Sequence, residues 1–140
     1  MKISEVMTPN PRTVSPGDSL QVAAQIMRDE DVGVVPVVEG GRIEGVVTDR
    51  DIVIRAVADG DFQATVEDVC SDDVVTCTAE MSTADVSALM GEHQVRRIPV
   101  VDEDDRLVGI VSLGDLAVKE HRDSRTGDTL ETISEGVKRH

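Results

Sequence analysis

The sequence predicts a mixed α/β fold of the α+β sandwich type, in which two β-α-β-β-α units pack about a pseudo-twofold axis. Three observations predict it. First, the chain repeats itself. Shifted by 63 residues, Val6 falls on Val69, Thr13 on Thr76, Met27 on Met90, and Pro36-Val37-Val38 on Pro99-Val100-Val101. An extra residue within Asp102–Asp105 moves the shift to 64, and Gly45, Val47 and Asp51 then meet Gly109, Val111 and Asp115. Second, each copy places a stretch of helical periodicity before two short apolar runs. Third, the chain is 39% hydrophobic with a single aromatic residue, Phe62, so its core must come from Val, Ile, Leu, Met and Ala, a set rich in the β-branched residues that favour strands.

In copy one a first strand or turn passes through Thr13. Ser15 is the expected N-cap of the first helix, with Pro16 at the first helical position and Asp18 at the third. Leu20, Ala23, Ala24 and Met27 then share one helical face. Two strands follow, Val34 to Val38 and Ile43 to Val47, joined through Glu39-Gly40-Gly41-Arg42, a hairpin signal. A second helix starts after Thr48. Copy two repeats the order: a strand or turn at Thr76, a helix capped by Thr78 with Val86, Leu89 and Met90 on its apolar face, strands Ile98 to Val101 and Leu107 to Val111, and a helix after Ser112. This divides the chain into copy one (1–60), a linker (61–65), copy two (66–121) and a tail (122–140). One copy of about 55 residues buries too little surface to be secure alone, so the two are expected to bury each other's sheet faces and leave a cleft on each side of the axis.

Charge narrows the function. With 28 acids against 14 bases the formal net charge is −14, which repels nucleic-acid backbones and anionic lipids. A phosphate ligand would need a local cluster of Arg or Lys. No apolar run approaches the roughly 18 residues of a membrane span. Met1 to Glu5 does not read as a secretory signal, so a cytoplasmic location is expected. Two cysteines, Cys70 and Cys77, make no disulfide framework.

The phrase Gly45-Val46-Val47-Thr48-Asp49-Arg50-Asp51 recurs as Gly109-Ile110-Val111-Ser112-Leu113-Gly114-Asp115, where a strand hands over to a helix. Thr-x-x-Asp and Ser-x-x-Asp read as capping boxes with an acid at the third helical position. The same geometry suits a ligand: a helix start attracts phosphate, and a carboxylate one turn on accepts from the hydroxyls of a ribose. Both readings stand together.

These phrases, with Val6-Met7-Thr8-Pro9 at the start and Val32 to Val38 with its proline, all present twice in order, resemble the CBS (cystathionine β-synthase-type) domain family as the tandem pair called a Bateman module. Thr48 to Ile54 and His93 to Val101 are similar to the hypoxic-response-protein group of stand-alone pairs. The resemblance implies a non-catalytic regulatory module that binds an adenosine-type nucleotide (AMP, ADP, ATP or a relative) in the clefts between its repeats. It implies Asp51 and Asp115 as ribose ligands, Thr48 and Ser112 as phosphate or ribose ligands, Thr13 and Thr76 near the base, and Arg96 and Arg97 on phosphate. It further implies a homodimer of two modules and an effector protein as the listener. The copies differ where it matters. Copy one has Gly33-Val34 in place of Arg96-Arg97, and carries Arg50 where copy two has Gly114, so the two sites are expected to be unequal.

Competing readings are a protein-interaction module with ligand-free clefts, and a small enzyme using Cys70, Cys77 and His93. No zinc spacing links those three residues, and no catalytic constellation or metal site is expected. A P-loop fails because Asp115 stands where its lysine is required, and a calcium loop fails because Asp102–Asp105 lacks the glycine and glutamate that should follow. In the tail, Asp128 with Glu131 caps a stripe of Leu130, Ile133 and Val137, which reads equally as a short docking helix or as a frayed terminus.

Overall fold

The computed structural model describes residues 1–123, so the helix expected over the tail at Asp128–Val137 lies outside the described residues. The chain divides into two compact units that each combine most of one copy with the opening segment of the other. One comprises Pro11–Val74 and Glu103–Leu107; the other comprises Met1–Asn10, Val75–Asp102 and Val108 onward.

In the unit built on copy one, Val14 pairs in parallel with Val37 beside the hairpin of β2 (Val34–Glu39) and β3 (Arg42–Thr48). Gly40 and Gly41 sit at φ 60° and 83°, the left-handed pair that a two-residue hairpin turn demands. Helix α1 (Leu20–Glu30) buries Ala23, Ile26 and Met27 against Val14, Val35, Val37 and Val47. Helix α2 (Asp49–Ile52) runs on as a π-turn over Val53–Val57. The opening segment of copy two crosses this unit's other edge. Val46 and Ser71 exchange backbone hydrogen bonds of 3.0 and 2.9 Å, and α3 (Val66–Val69) sinks Val66 and Val69 into the core.

The unit built on copy two has a four-stranded sheet. Its strands are β1 (Thr8–Pro9), β4 (Cys77–Thr78), β5 (Arg97–Val101) and β6 (Leu107–Ser112), in the order β1-β6-β5-β4. Strand β4 runs parallel to β5, with Cys77 opposite Val100, and β1 runs antiparallel to β6, with Thr8 opposite Ile110. Helices α4 (Thr83–His93) and α5 (Leu113–Asp123) complete it. Its core joins Ile3, Cys77, Val86, Met90, Ile98, Val100, Val111 and Leu116. Ile3, third in the chain, is fully buried among residues of copy two.

The first helix of each copy starts four residues later than expected. Ser19 and Ser82 are the N-caps, their hydroxyls accepting from the amides of Val22 (3.4 Å) and Asp85 (3.0 Å). Ser15 and Asp18 do bond as a cap pair would, Ser15 N–H to Asp18 Oδ2 at 2.8 Å, but they close a turn before the helix. Thr78 likewise ends β4 and accepts a turn bond from Met81 at 3.2 Å. Ala24, expected on the apolar face of α1, is exposed, and Ile26 takes its place.

Both helices end on a non-glycine residue in the left-handed region, Asp31 at φ 53° and Gln94 at φ 55°. A left-handed side chain costs about 1–2 kcal/mol. Replacing Gln94 with glycine should therefore stabilise the protein by about 0.5–1 kcal/mol, after the extra chain entropy of glycine is subtracted. A urea titration that finds Gln94→Gly neutral or destabilising would show that the Gln94 side chain makes compensating contacts.

Candidate functional site

The two motif phrases fold alike because each meets two local demands. A strand must end, and a helix must start with its first amides satisfied. At the end of β3 the Thr48 amide donates to Asp51 Oδ2 at 3.0 Å, and the Asp51 amide donates to Thr48 Oγ1 at 3.0 Å. At the end of β6 the Ser112 amide donates to Asp115 Oδ2 at 3.1 Å, and the Asp115 amide donates to Ser112 Oγ at 3.0 Å. The capping-box reading of both phrases therefore holds. It uses one carboxylate oxygen on each side; Oδ1 of Asp51 and of Asp115 has no hydrogen-bond partner among the described residues. Both aspartates are half-buried, a setting in which a hydrogen bond from a hydroxyl donor counts for more than in open water.

The glycine opening each phrase has a steric reason. A Cβ on Gly45 would collide with the carbonyl oxygen of Ser71, and one on Gly109 would stand 2.6 Å from Met7 Sδ and 3.0 Å from the Thr8 carbonyl. In each unit the opening segment of the other copy lies against that glycine.

The expected basic residues are placed as follows. Arg96 lies next to the motif of its unit, its carbonyl accepting from the Leu113 amide at 2.7 Å. Arg97 begins β5. Arg50 follows Thr48 by two residues on α2. Among the described residues none of these three guanidinium groups has an ion pair or hydrogen bond, whereas Lys2, Arg12 and Arg28 are each paired with an acid. In an acidic chain, unpaired arginines beside a capped helix start are a standing invitation to an anion. Thr13 and Thr76 stand apart from this cluster. Thr13 precedes Val14, which pairs with β2 on the edge opposite β3; Thr76 precedes β4, with β5 between it and β6.

Two contacts escape a reading of the sequence. The Asp49 carboxylate lies over Gly33, its oxygens 3.2 and 3.3 Å from where a Cβ would stand, and Arg55 donates to the carbonyl of Val69 at 3.1 Å. Each joins residues well separated in the chain. The Asp49 contact has one sequence signal, an acid at the first helical position, and the Arg55 contact has none.

The cysteines carry no such arrangement. Burial pushes the Cys77 thiol up to about 11. Cys70 is raised by burial, then by the carboxylates of Asp72 and Asp51. Both are therefore protonated thiols near neutral pH. A thiol reagent at pH 8 should leave Cys77 unmodified in the folded protein and label it on unfolding; labelling of native Cys77 at the rate of a free thiol would contradict its burial. His93 is exposed at the end of α4. Among the described residues no three His, Cys, Asp or Glu side chains converge as a metal-binding group, and no helix is long and apolar enough to cross a membrane.

Comparison with known proteins bears on this site. The CBS domain family matches residues 3–57 and 66–121. The CBS domain-containing protein YhcV of Bacillus subtilis is 45% identical over 133 residues, 94% of each chain. Hypoxic response protein 1 of Mycobacterium tuberculosis is 39% identical over 116 residues, 81% of this chain and 80% of its own. A crystal structure of Hypoxic Response Protein I with two coordinated zinc ions aligns at TM-score 0.76 with 36% identity, covering 84% of this chain and 98% of that one. The crystal structure of CBSX2 in complex with AMP, a protein of Arabidopsis thaliana, aligns at TM-score 0.78 with 25% identity, covering 89% and 98%.

Proposed function

This chain belongs to the CBS domain family, and from that premise we propose that it is a non-catalytic regulatory module that binds an adenosine-type nucleotide (AMP, ADP, ATP or a relative) at its two motif sites. The observation that carries the reading is the Oδ1 on each capped aspartate, without a hydrogen-bond partner among the described residues, beside arginines that have no partner among those residues either. In this reading Asp51 and Asp115 accept from the ribose hydroxyls, and the hydroxyls of Thr48 and Ser112 donate to ribose or phosphate oxygens. Arg96 and Arg97 meet phosphate at the Ser112–Asp115 site, Arg50 belongs to the nucleotide site at Thr48–Asp51, and Thr13 and Thr76 flank the base. The AMP carried by CBSX2, a protein of the same fold, supports the ligand class.

The test is a thermal-shift and calorimetric titration with AMP, ADP and ATP. Ligand that binds only the folded state raises the midpoint in proportion to the logarithm of its excess. Asp115→Asn keeps the shape of the capping box and removes the charge. It should weaken binding about 10- to 100-fold, the worth of a charge-assisted hydrogen bond, with a smaller effect on unliganded stability. If no nucleotide binds at millimolar concentration, the Thr48–Asp51 and Ser112–Asp115 pairs serve as helix caps alone and the module works through protein contacts.

We also propose a cytoplasmic homodimer that signals to an effector protein. Val53, Ile54 and Val57 are each about half exposed after α2, and Val118 is as exposed at the equivalent place on α5. Ile54→Asp should shift a dimer toward monomer in sedimentation equilibrium; an unchanged mass would remove this face from the interface.

A further inference from the structure

The two sites differ in charge at equivalent places. Backbone bonds establish the equivalence: the Asp49 amide donates to the Gly33 carbonyl at 3.0 Å, as the Leu113 amide donates to the Arg96 carbonyl at 2.7 Å. Asp49 thus stands where the other unit has an uncharged leucine, and Gly33 where it has Arg96. The Asp49 carboxylate fills the space over Gly33.

It also quenches the helix start. Asp49 Oδ1 accepts from the Arg50 amide at 2.8 Å, while Thr48 takes the Asp51 amide, so each of the first three amides of α2 is already bonded. In α5 the Leu113 and Asp115 amides are bonded, but the amide of Gly114 has no acceptor among the described residues. Asp49, Arg50 and Asp51 sum to a formal charge of −1; Arg96, Arg97 and Asp115 sum to +1. Arg50 therefore does not replace Arg96, because its neighbour on each side is an acid.

Resting on the nucleotide reading above, we propose that Asp49 is a specificity residue: it bars phosphate from the Thr48–Asp51 site and leaves it to an uncharged adenosine ligand, while the Arg96–Ser112–Asp115 site takes the phosphorylated one. A phosphate placed over Gly33 would meet a carboxylate at contact distance. Like charges that close cost several-fold in affinity even under strong solvent screening.

The experiment is calorimetry of the full chain with AMP and with adenosine, on wild type, Asp49→Asn, Gly33→Arg/Asp49→Leu and Arg96→Leu. Wild type should bind a single AMP but two adenosines per chain. Arg96→Leu should weaken that AMP about 10- to 100-fold and leave adenosine nearly unchanged. Asp49→Asn should strengthen AMP at the Thr48–Asp51 site about tenfold, and the double variant should bind two AMPs. Because the barrier is electrostatic, raising salt toward 1 M should narrow the difference between the two sites, a response that a shape effect would not give. Two equal AMP sites in wild type, adenosine at one site only, or an AMP stoichiometry unmoved in both Asp49 variants overturns the assignment while the nucleotide reading survives. Binding of neither ligand overturns both.

Discussion

Ile3→Ala should destabilise the protein by about 2–5 kcal/mol, as a buried leucine or isoleucine in a central strand would. A third residue is ordinarily frayed and tolerant of change. Here the opening segment is tied down by three backbone hydrogen bonds: the Ile3 amide donates to the Met81 carbonyl at 2.9 Å, the Ser4 amide to the Ala79 carbonyl at 3.0 Å, and the Thr83 amide to the Met1 carbonyl at 2.9 Å. The side chain is fully buried and belongs to the cluster of Val86, Met90, Ile98 and Leu116. Truncation removes three carbons from a close-packed setting and leaves a cavity that the fixed backbone cannot close. Urea denaturation reads the effect as a lower midpoint at unchanged slope. Val22→Ala, at a helix position more than a third exposed, is the control and should stay within about 0.5 kcal/mol. A loss at Ile3 no larger than at Val22 would mean that the opening segment is not part of this core.

That prediction rests on the feature the sequence concealed. Periodicity reports which face of an element is buried, and it located β2, β3, β5 and β6 to within about a residue because their apolar runs and the polar turns between them are local. It does not report which elements share a core. Nothing in Ile3-Ser4-Glu5-Val6 says that these residues pack with copy two, or that Val66 and Val69 pack with copy one. The helix starts failed for a related reason: Ser15 and Asp18 make the expected local bond, but that bond closes a turn as readily as it caps a helix. At the site the Thr48–Asp51 and Ser112–Asp115 pairs were legible because a capping box is complete within four residues. The seat of Asp49 over Gly33 was not, because it joins the two ends of a hairpin whose register only the folded sheet defines.

The same crossing of segments gives the second large effect. Gly45→Ala should cost about 1–3 kcal/mol from overpacking, and more if the Val46–Ser71 backbone bonds are lost with it. The added methyl meets backbone rather than a movable side chain: beyond the Ser71 carbonyl oxygen, the Ser71 carbonyl carbon is 3.2 Å away and Asp72 Cα is 3.4 Å away. That strand is held by reciprocal hydrogen bonds with Val46 at 3.0 and 2.9 Å, so it moves only by breaking them. Gly109→Ala, the equivalent change in copy two, should cost less, about 1 kcal/mol, because its nearest neighbour is the thioether of Met7, which can rotate aside. Gly17→Ala meets nothing within 4 Å and should be neutral or slightly stabilising through its effect on the unfolded chain. The ranking Gly45 above Gly109 above Gly17, measured by urea midpoints, is what distinguishes a steric cause from general intolerance of substitution in the motif. Equal losses at Gly45 and Gly109 would mean that Met7 is as immobile as backbone, and equal losses at all three would refute the steric account.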